Sequence, residues 1–239
     1  MIRAVLFDAA GTLLHIHPSV GDVYASEAAL MGVNVSAHAL NDAFKSAWGS
    51  LRPPDGASPF HTSESVEREW WRNLVRQVFG EAGVLDQFGE QFELFFDALY
   101  ERFEQPGCWR LYDDVIPALD ALDARRVPFS IVSNWDSRLP RLLRAMGIAE
   151  RFRFILTSAE VGVSKPDAEI FAQAVRRLGF PASDVLHVGD SVEEDLMAAQ
   201  RAGLKGVLVS RRETIPAKHG AIGNLLQIIN VLEASIATP

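Results

Sequence analysis

The stretch VLFDAAGTLL, residues 5–14, places a lone aspartate between an apolar run and a glycine-threonine turn. The apolar residues ahead of Asp8 can bury as a parallel β-strand, with Asp8 at the carboxyl end of that strand. Gly11 permits a tight turn, and Thr12 brings a hydroxyl to the same pocket. Because open α/β sheets bind ligands just beyond the carboxyl ends of their strands, Asp8 is a candidate nucleophile or metal ligand. An aspartate that merely begins a turn is an equally good interpretation of this stretch by itself.

Polar residues recur at comparable places in three later segments, which are PFSIVSNWDSRL (128–139), VGVSKPDAEIF (161–171) and DVLHVGDSVEEDLMAAQRAG (184–203). Two of these segments are apolar strands that end in polar residues, and the middle one places a cation before a helix. Lys165 precedes Pro166, which restricts the backbone before it and suits the start of a helix. The polar residues of interest in the three segments are Ser133, Asn134, Lys165, Asp190, Glu194 and Asp195.

Taken together and in this order, the four segments resemble the haloacid dehalogenase-like (HAD) hydrolase superfamily over the whole chain. The motifs that carry the resemblance are Asp8-x-x-Gly11-Thr12, Ser133-Asn134, Lys165-Pro166 and Gly189-Asp190-Ser191-x-x-Glu194-Asp195. Within the superfamily the chain most resembles the subgroup of haloacid dehalogenase-like hydrolase domain-containing protein 3. That finer likeness rests on DAAGTLL in the first motif, SNWD in the second and a tryptophan-rich insert between them.

The resemblance implies a role for each motif residue. Asp8 would attack phosphorus or carbon and form a covalent aspartyl intermediate. The implied catalytic residues are Asp8, Ser133, Asn134 and Lys165, and the implied substrate-binding residues are Gly11, Thr12, Ser133 and Asn134. Lys165 would neutralise charge on the nucleophile and on the transition state, while Ser133 and Asn134 would donate hydrogen bonds to the transferring group.

Several carboxylates in one pocket repel each other unless a hard cation neutralises them, and oxygen ligands of this kind suit Mg²⁺. The predicted Mg²⁺ ligands are Asp8, the backbone carbonyl of Ala10, Asp190, Glu194 and Asp195. Glu194 and Asp195 could instead orient Lys165. A helix cap is the alternative interpretation for Asp190 and Ser133, and a solvated first helical turn is the alternative for residues 193–195.

One residue departs from the pattern of the superfamily. Its phosphatases usually carry a second aspartate two positions after the nucleophile, and this chain has Ala10 there. A methyl group cannot transfer a proton, although general acid–base catalysis typically contributes ~10²–10⁴-fold. His15, His17 and Asp136 are candidate substitutes, but a surface pair of histidines and a turn or helix-capping aspartate are the favoured interpretations.

Three functions therefore remain open. The first is a Mg²⁺-dependent phosphatase of a small phosphate ester with weakened general acid catalysis. The second is a regulatory protein that binds phosphate and metal without turnover, which the presence of both Asp8 and Lys165 disfavours. The third is a 2-haloacid dehalogenase, in which a halide leaves without protonation; the acidic fourth motif disfavours it.

The predicted fold class is α/β, with a doubly wound parallel sheet in a Rossmann-like core formed by residues 1–14 and 106–239. From Leu111 onward, candidate helices and strands alternate, as they do when helices cover both faces of a parallel sheet. Residues 15–105 read as helices, and the resemblance makes them a helical cap inserted after the first strand. Three of the predicted helices cover residues 86–103, 195–202 and 222–233. Candidate substrate contacts outside the motifs are Arg52, Arg138 and Trp48, whereas packing is favoured for Trp70 and Trp71.

The composition is that of a soluble enzyme without identifying which one. The chain has 239 residues and a net charge of −8, which disfavours nucleic acid and anionic membranes as partners. No apolar run approaches the ~20 residues that span a bilayer, and we predict no signal peptide. The single cysteine, Cys108, cannot form an internal disulfide, so a cytoplasmic location is predicted. The expected partner is a small phosphorylated molecule, and the expected state is a monomer or a homodimer.

Overall fold

The computed structural model describes residues 1–51, 60–211 and 221–237, so Arg52 lies outside the described residues. The chain forms two compact units. One comprises Met1–His15, Ser58–Ser63 and Leu111–Pro239, and the other comprises Ile16–Ala57 and Glu64–Arg110. We call them the sheet unit and the helical unit.

The strands of the described residues are β1 (Ala4–Phe7), β2 (Leu14–Ile16), β3 (Trp109–Leu111), β4 (Phe129–Ser133), β5 (Ile155–Thr157), β6 (Val185–Gly189) and β7 (Lys205–Leu208). Five of them form a parallel sheet in the order β5-β4-β1-β6-β7. Helices alternate with these strands along the chain, and this confirms the predicted α/β fold with a Rossmann-like parallel sheet. The first strand of the chain is central because its four residues, all buried, pair with β4 on one side and β6 on the other.

The α-helices of the sheet unit are α5 (Val115–Ala124), α6 (Arg138–Ala145), α7 (Ser158–Val161), α8 (Ala168–Leu178), α9 (Ala198–Arg201) and α10 (Ile228–Ala237). The sequence predicts a helix over residues 168–178, and α8 has these bounds, since Asp167 caps its first turn and Gly179 ends it in the left-handed conformation. The predicted helix over 222–233 is wrong at its start, because a 3-10 turn at Leu225–Gln227 precedes α10. Its Asn224 side chain accepts a hydrogen bond from the backbone NH of Leu226 and so caps that turn.

The predicted helix over 195–202 is also wrong at its start. A π-helical turn at Val192–Met197 comes first and runs into α9. Ser191 caps this turn, because its hydroxyl accepts a hydrogen bond from the backbone NH of Glu194. The turn therefore begins three residues earlier than predicted, and it buries Asp195 instead of leaving that residue on a solvated face.

Strand register places three polar segments at one edge of the sheet. Phe7 pairs with Ile131 of β4 and with Val188 of β6. Asp8 follows directly, and its backbone NH donates to the carbonyl of Val188 at 2.9 Å. The residues that follow β1, β4 and β6 consequently meet at the carboxyl edge of the sheet, where α/β folds bind ligands.

The helical unit contains α1 (Val20–Leu30), α2 (Ala37–Leu51), α3 (Glu64–Glu81) and α4 (Phe92–Arg102). The predicted single helix over 86–103 is wrong in its first part, since a 3-10 segment at Leu85–Gln91 precedes α4. Gly89 interrupts the helix with a φ of 52° and a ψ of −126°, a conformation that glycine adopts more readily than other residues.

Aromatic side chains dominate the interior of the helical unit. The ring of Phe95 lies 4.3 Å from that of Phe88 and 5.0 Å from that of Phe79. The phenylalanines of residues 88–96, spaced three or four residues apart, are buried in this core. Trp70 and Trp71 pack edge to face at 5.0 Å, as expected for packing residues. Trp48 contacts both of these tryptophans and keeps 38% of its surface exposed.

The unit boundaries differ from the predicted ones in three places, the first of which is His15, which groups with the sheet unit. Residues 60–63 group with the sheet unit, because Thr62 donates to the carbonyl of Gly162 and Ser164 donates to that of Phe60. Residues 106–110 group with the helical unit. Strands β2 and β3 pair with each other where the chain passes between the units. Among the described helices, none combines the length and apolar character that crossing a membrane requires.

A buried ion pair follows β4. Asp136 is fully buried, and its carboxylate accepts hydrogen bonds from the Arg138 guanidinium at 2.9 and 2.7 Å and from the Arg138 backbone NH at 3.0 Å. This carboxylate fixes the start of α6, which agrees with the favoured turn or capping interpretation. It also engages Arg138, which is itself buried.

We expect Asp136→Asn to lower the free energy of unfolding by about 3–5 kcal/mol, because it removes the charge that compensates Arg138 inside the protein. The matched control is Glu169→Gln, whose partner Arg176 forms an ion pair in which both side chains are exposed. That change should cost less than about 1 kcal/mol. Urea denaturation of both variants measures the difference, and equal midpoints would contradict the assignment of a stabilising role to the buried pair.

Candidate active site

The ammonium group of Lys165 lies at the centre of the carboxyl edge of the sheet. Its Nζ donates to Asp8 Oδ1 and to Asp195 Oδ1, both at 2.7 Å. Only 3% of Lys165 is exposed. Burial by itself lowers the pKa of a lysine, but the adjacent Asp195 and Asp8 carboxylates outweigh it and raise the pKa of Lys165 above its ordinary value. Lys165 therefore keeps its proton and acts as a fixed positive charge.

Asp8 is held by two donors at one oxygen. Its Oδ1 accepts from Lys165 and also from the Ser133 hydroxyl at 2.9 Å. Burial raises the pKa of Asp8, the charge of Lys165 opposes this shift, and the negative charge of Asp195 adds to it. Ser133 and Lys165 thus orient the carboxylate of Asp8, the predicted nucleophile. The pocket around it carries excess negative charge.

Asp195 has both oxygens engaged. Oδ1 lies 2.7 Å from Lys165 Nζ and 2.8 Å from His187 Nε2, and Oδ2 accepts from the backbone NH of Ser191 at 3.0 Å. Burial opposes ionisation of Asp195, yet Lys165 and His187 hold its pKa well below the ordinary range. Asp195 consequently stays ionised and serves as the second anchor of Lys165.

Asn134 ties the Lys165 backbone to the end of β4. Its side-chain Oδ1 accepts from the Lys165 NH at 2.7 Å, and its Nδ2 donates to the Lys165 carbonyl at 2.9 Å. Nδ2 also lies 3.4 Å from Glu194 Oε2. Asn134 therefore positions the lysine, a role that the motif did not predict.

Asp190 faces the turn that follows β1. Burial of its carboxyl group, together with the negative charges of Asp8 and Asp195, raises the pKa of Asp190 to about 7, although part of the side chain remains exposed. A Cβ at Gly11 would overlap the Asp190 carboxylate, and Gly11 has a φ of +80°. The glycine is thus required twice, for its left-handed backbone and for the close approach of Asp190.

Three carboxylates could hold a metal ion. Oxygen atoms of Asp8, Asp190 and Asp195 all lie within 4.8 Å of one another. Lys165 supplies one positive charge against these three negative ones, and the raised pKa of Asp190 reflects that imbalance. Hard divalent cations prefer oxygen ligands of this kind, so the donor set fits a cation such as Mg²⁺. Because Asp195 already binds three donors, Asp8 and Asp190 are the members with the greater capacity to coordinate it.

Comparison with known families agrees with this geometry. The haloacid dehalogenase-like hydrolase family matches residues 2–203 of the chain. The chain belongs to this family. It is 34% identical to haloacid dehalogenase-like hydrolase domain-containing protein 3 of Danio rerio over 98% of this chain and 96% of that protein. The human protein of the same name is 31% identical over the same shares, so the predicted resemblance is confirmed.

Other relatives and solved structures of the HAD family extend the comparison. A glyceraldehyde 3-phosphate phosphatase of Methanopyrus kandleri is 35% identical over 42% of this chain and 43% of its own length. A HAD phosphatase of Thermococcus onnurineus superposes with a TM-score of 0.68 at 24% identity over 97% and 98% of the two chains. An L-2-haloacid dehalogenase of Xanthobacter autotrophicus reaches 0.74 at 16% identity over 98% and 99%. These two structures establish a shared fold.

The HAD motif residues differ in which of them hydrogen-bond to one another. Asp8, Ser133, Lys165 and Asp195 form one hydrogen-bonded chain, while Glu194 is bonded to Asn134 and is not a member of the three-carboxylate group. The predicted catalytic and substrate-binding roles of these residues stay predictions, as do the Ala10 carbonyl and Glu194 as metal ligands.

Thr12 does not present its hydroxyl to solvent. Its Oγ1 is buried and makes no hydrogen bond within the described part of the chain. The Thr12 carbonyl instead accepts from the guanidinium of Arg211, which also binds the buried Asp114 at 2.7 Å. Arg211 thereby stabilises the turn that follows Asp8. Sequence reasoning missed Arg211, because an arginine after β7 resembles any surface residue.

The three predicted substitutes for the missing acid have the following contacts. Asp136 is held by Arg138, as described above. The ring of His15 lies 4.8 Å from that of Tyr112. The backbone NH of His17 donates to the carbonyl of Cys108 at 2.8 Å. A proton-donating role for any of the three stays a prediction.

We expect Gly11→Ala to displace the Asp190 carboxylate, because the added methyl group would overlap it. The matched control is Gly179→Ala, where φ is +75° and a methyl group would meet nothing within 4 Å. Both variants should lose about 1–2 kcal/mol of stability through the left-handed backbone. Crystal structures should show a moved Asp190 only in Gly11→Ala, and an unmoved Asp190 in that variant would contradict the close approach.

Proposed function

We propose that the protein is a Mg²⁺-dependent phosphatase that hydrolyses a small phosphate ester through Asp8. The observation that carries this proposal is the position of Lys165 Nζ, 2.7 Å from both Asp8 and Asp195, beside a third carboxylate, Asp190. An oriented nucleophile, a fixed cation and an excess of oxygen ligands are the parts that phosphoryl transfer needs. The named activity of the Methanopyrus kandleri phosphatase supports the same reaction class.

In the first step, a carboxylate oxygen of Asp8 attacks phosphorus and the bond from phosphorus to the leaving oxygen breaks. This gives an acyl phosphate on Asp8 and an alkoxide or aryloxide, which leaves with the electron pair of the broken bond and takes a proton from water. Lys165 and Ser133 hold Asp8 in place, and Lys165 would neutralise charge on the transferring group. In the second step, water attacks the same phosphorus, inorganic phosphate departs and the Asp8 carboxylate is restored.

The metal would be held by Asp8, Asp190 and the backbone carbonyl of Ala10, with Glu194 or Asp195 contributing directly or through water. When bound, Mg²⁺ supplies positive charge that offsets the carboxylates and the phosphoryl oxygens. This assignment rests on the three-carboxylate group and on the raised pKa of Asp190. A cytoplasmic location, and a monomeric or homodimeric state, remain predictions from the sequence.

Ala10 limits the range of substrates. With no carboxyl group at that position, the leaving oxygen must depart without a proton from it. Esters with acidic leaving groups tolerate this, whereas simple alkyl phosphates need protonation. We therefore propose that the preferred substrates carry good leaving groups.

Ala10 also favours a second candidate, 2-haloacid dehalogenation. A halide leaves without protonation, so Asp8 could displace it from carbon with no acid at position 10. The acidic group of Asp8, Asp190 and Asp195 argues against this reaction, because attack on a negatively charged haloacid gains nothing from further negative charge. A regulatory protein without turnover is the remaining alternative.

A panel of phosphate esters and 2-haloacids, assayed with and without Mg²⁺, tests the proposal. Wild-type protein should hydrolyse activated esters only with Mg²⁺. Asp8→Asn should abolish turnover and keep the fold, because the two side chains have nearly the same shape. Asp190→Asn should raise the Mg²⁺ concentration needed for half-maximal rate. Glu169→Gln, the exposed control, should match wild type.

Each other outcome of the panel is informative. Halide release without Mg²⁺ would establish the dehalogenase instead. Binding of inorganic phosphate without any turnover would establish the regulatory protein. Activity that persists in Asp8→Asn, with contamination excluded by its absence from a mock purification, would refute Asp8 as the nucleophile.

Ala10→Asp should restore general acid–base catalysis. We expect the rate with poor leaving groups to rise, within the ~10²–10⁴-fold range of such catalysis, and the rate with an activated aryl phosphate to change little. The dependence of rate on leaving-group acidity should therefore flatten. Ala10→Asn is the matched control, since it has similar size and cannot donate a carboxyl proton. Equal rates in the two variants would contradict the assignment of the missing acid to position 10.

A further inference from the structure

His187 is a buried polar residue in the middle of β6. No part of the residue is exposed, and its Nε2 lies 2.8 Å from Asp195 Oδ1. Its other ring nitrogen, Nδ1, is buried and makes no hydrogen bond within residues 1–51, 60–211 and 221–237. The ring packs edge to face against the buried Phe171 at 4.7 Å. One hydrogen bond, to Asp195, is thus the contact that distinguishes this histidine from an apolar residue.

An apolar side chain of similar size would suit these surroundings better. A buried nitrogen without a partner destabilises the folded state, whereas leucine at the same place would leave no polar atom unsatisfied. The packing against Phe171 does not need an imidazole. The presence of histidine is therefore accounted for by what its Nε2 does to Asp195.

The contact extends a continuous chain that ends at the nucleophile. His187 Nε2 meets Asp195 Oδ1 at 2.8 Å, and that same oxygen meets Lys165 Nζ at 2.7 Å. Lys165 Nζ in turn lies 2.7 Å from Asp8 Oδ1. A carboxylate oxygen accepts hydrogen bonds, so an imidazole that carries a proton on Nε2 donates it to Asp195 Oδ1.

His187 and the Ser191 NH clamp Asp195 from two sides. Ser191 binds Oδ2, and His187 binds Oδ1, the oxygen that Lys165 also uses. Rotation of the Asp195 carboxylate would break one of these bonds. Without the histidine, Oδ1 would have Lys165 as its sole donor among these contacts, and the lysine would shift with the carboxylate.

We propose that His187 is a positioning residue, which fixes Asp195 so that Lys165 stays within hydrogen-bonding distance of Asp8. Its effect on rate rests on the proposed function, whereas its effect on the position of Lys165 does not. The contacts that define its place are with Asp195 and Phe171, so His187 would act on Asp8 through Asp195 and Lys165.

Three variants separate the hydrogen bond from the packing. His187→Gln places an amide nitrogen close to the position of Nε2 and can still donate to Asp195. His187→Asn has the same amide on a side chain one methylene shorter and cannot reach as far. His187→Leu fills the space without a donor.

In steady-state kinetics on the best ester of the panel, kcat should fall roughly 10- to 100-fold in the Leu and Asn variants, the range seen when a supporting shell is lost. KM should stay the same, and the Gln variant should recover most of the rate. In an Asp195→Asn background, His187→Leu should have no further effect, because the residue through which it acts is already changed. A purely structural role would instead give a stability loss without this rescue by Gln.

Crystal structures of the same variants give a readout that needs no turnover. The Lys165 to Asp8 contact should be kept in His187→Gln and lengthened in His187→Leu and His187→Asn. If wild type hydrolyses nothing, the proposed function fails, and this distance alone decides the positioning role. If His187→Leu does not fold, the Gln and Asn pair decides it. An unchanged Lys165 contact, or an unchanged kcat in His187→Asn, would overturn the inference.

Discussion

The enclosure of one ammonium group between two carboxylates is the interaction on which the site depends. Lys165 is almost wholly buried, and a buried ammonium is stable only when it is paired and hydrogen-bonded. Asp8 and Asp195 provide that pairing at 2.7 Å each. Asp8 directly follows the first strand of the chain, Asp195 lies in the π-helical turn after β6, and Lys165 lies in the segment between them. The charge pairing therefore ties together three parts of the chain that are far apart in sequence.

The strand order explains why this pairing is possible. β1 lies between β4 and β6, so the residues that follow all three strands share one edge of the sheet. Asn134, after β4, binds the backbone of Lys165 on both its NH and its carbonyl. The π-helical turn after β6 buries Asp195, and a residue at Gly189 with a Cβ would collide with it. The strand order, the π-helical turn and Gly189 thus determine where the charged groups of Lys165 and Asp195 lie.

Sequence patterns predicted the strands and helices that depend on neighbouring residues. They did not predict features that depend on contacts between residues distant in sequence. The apolar runs of β1, β4 and β6 and the span of α8 could be predicted, because periodicity and helix-start signals are local. Strands β2 and β3 have three residues each, too few for a period to appear. His187 lies inside an apolar run and reads as core until its contact with Asp195 is known. The dual bond of Asn134 to Lys165 could not be predicted either, since it joins residues 31 positions apart.

The electrostatics of the network also bear on the alanine at position 10. The pKa of Lys165 is raised, so this group keeps its proton, and the pKa of Asp195 is lowered, so this group stays without one. Asp190 has a pKa of about 7, but a bound cation would hold it ionised. Lys165 and Asp195 thus hold charge in place and do not exchange protons near neutral pH. Ala10 has a methyl group at the position where phosphatases of the superfamily usually have a proton-donating aspartate, so this residue cannot transfer a proton either. A reaction in which the leaving group departs with its own electron pair, and needs no proton from the protein, is the one that this arrangement of charges suits.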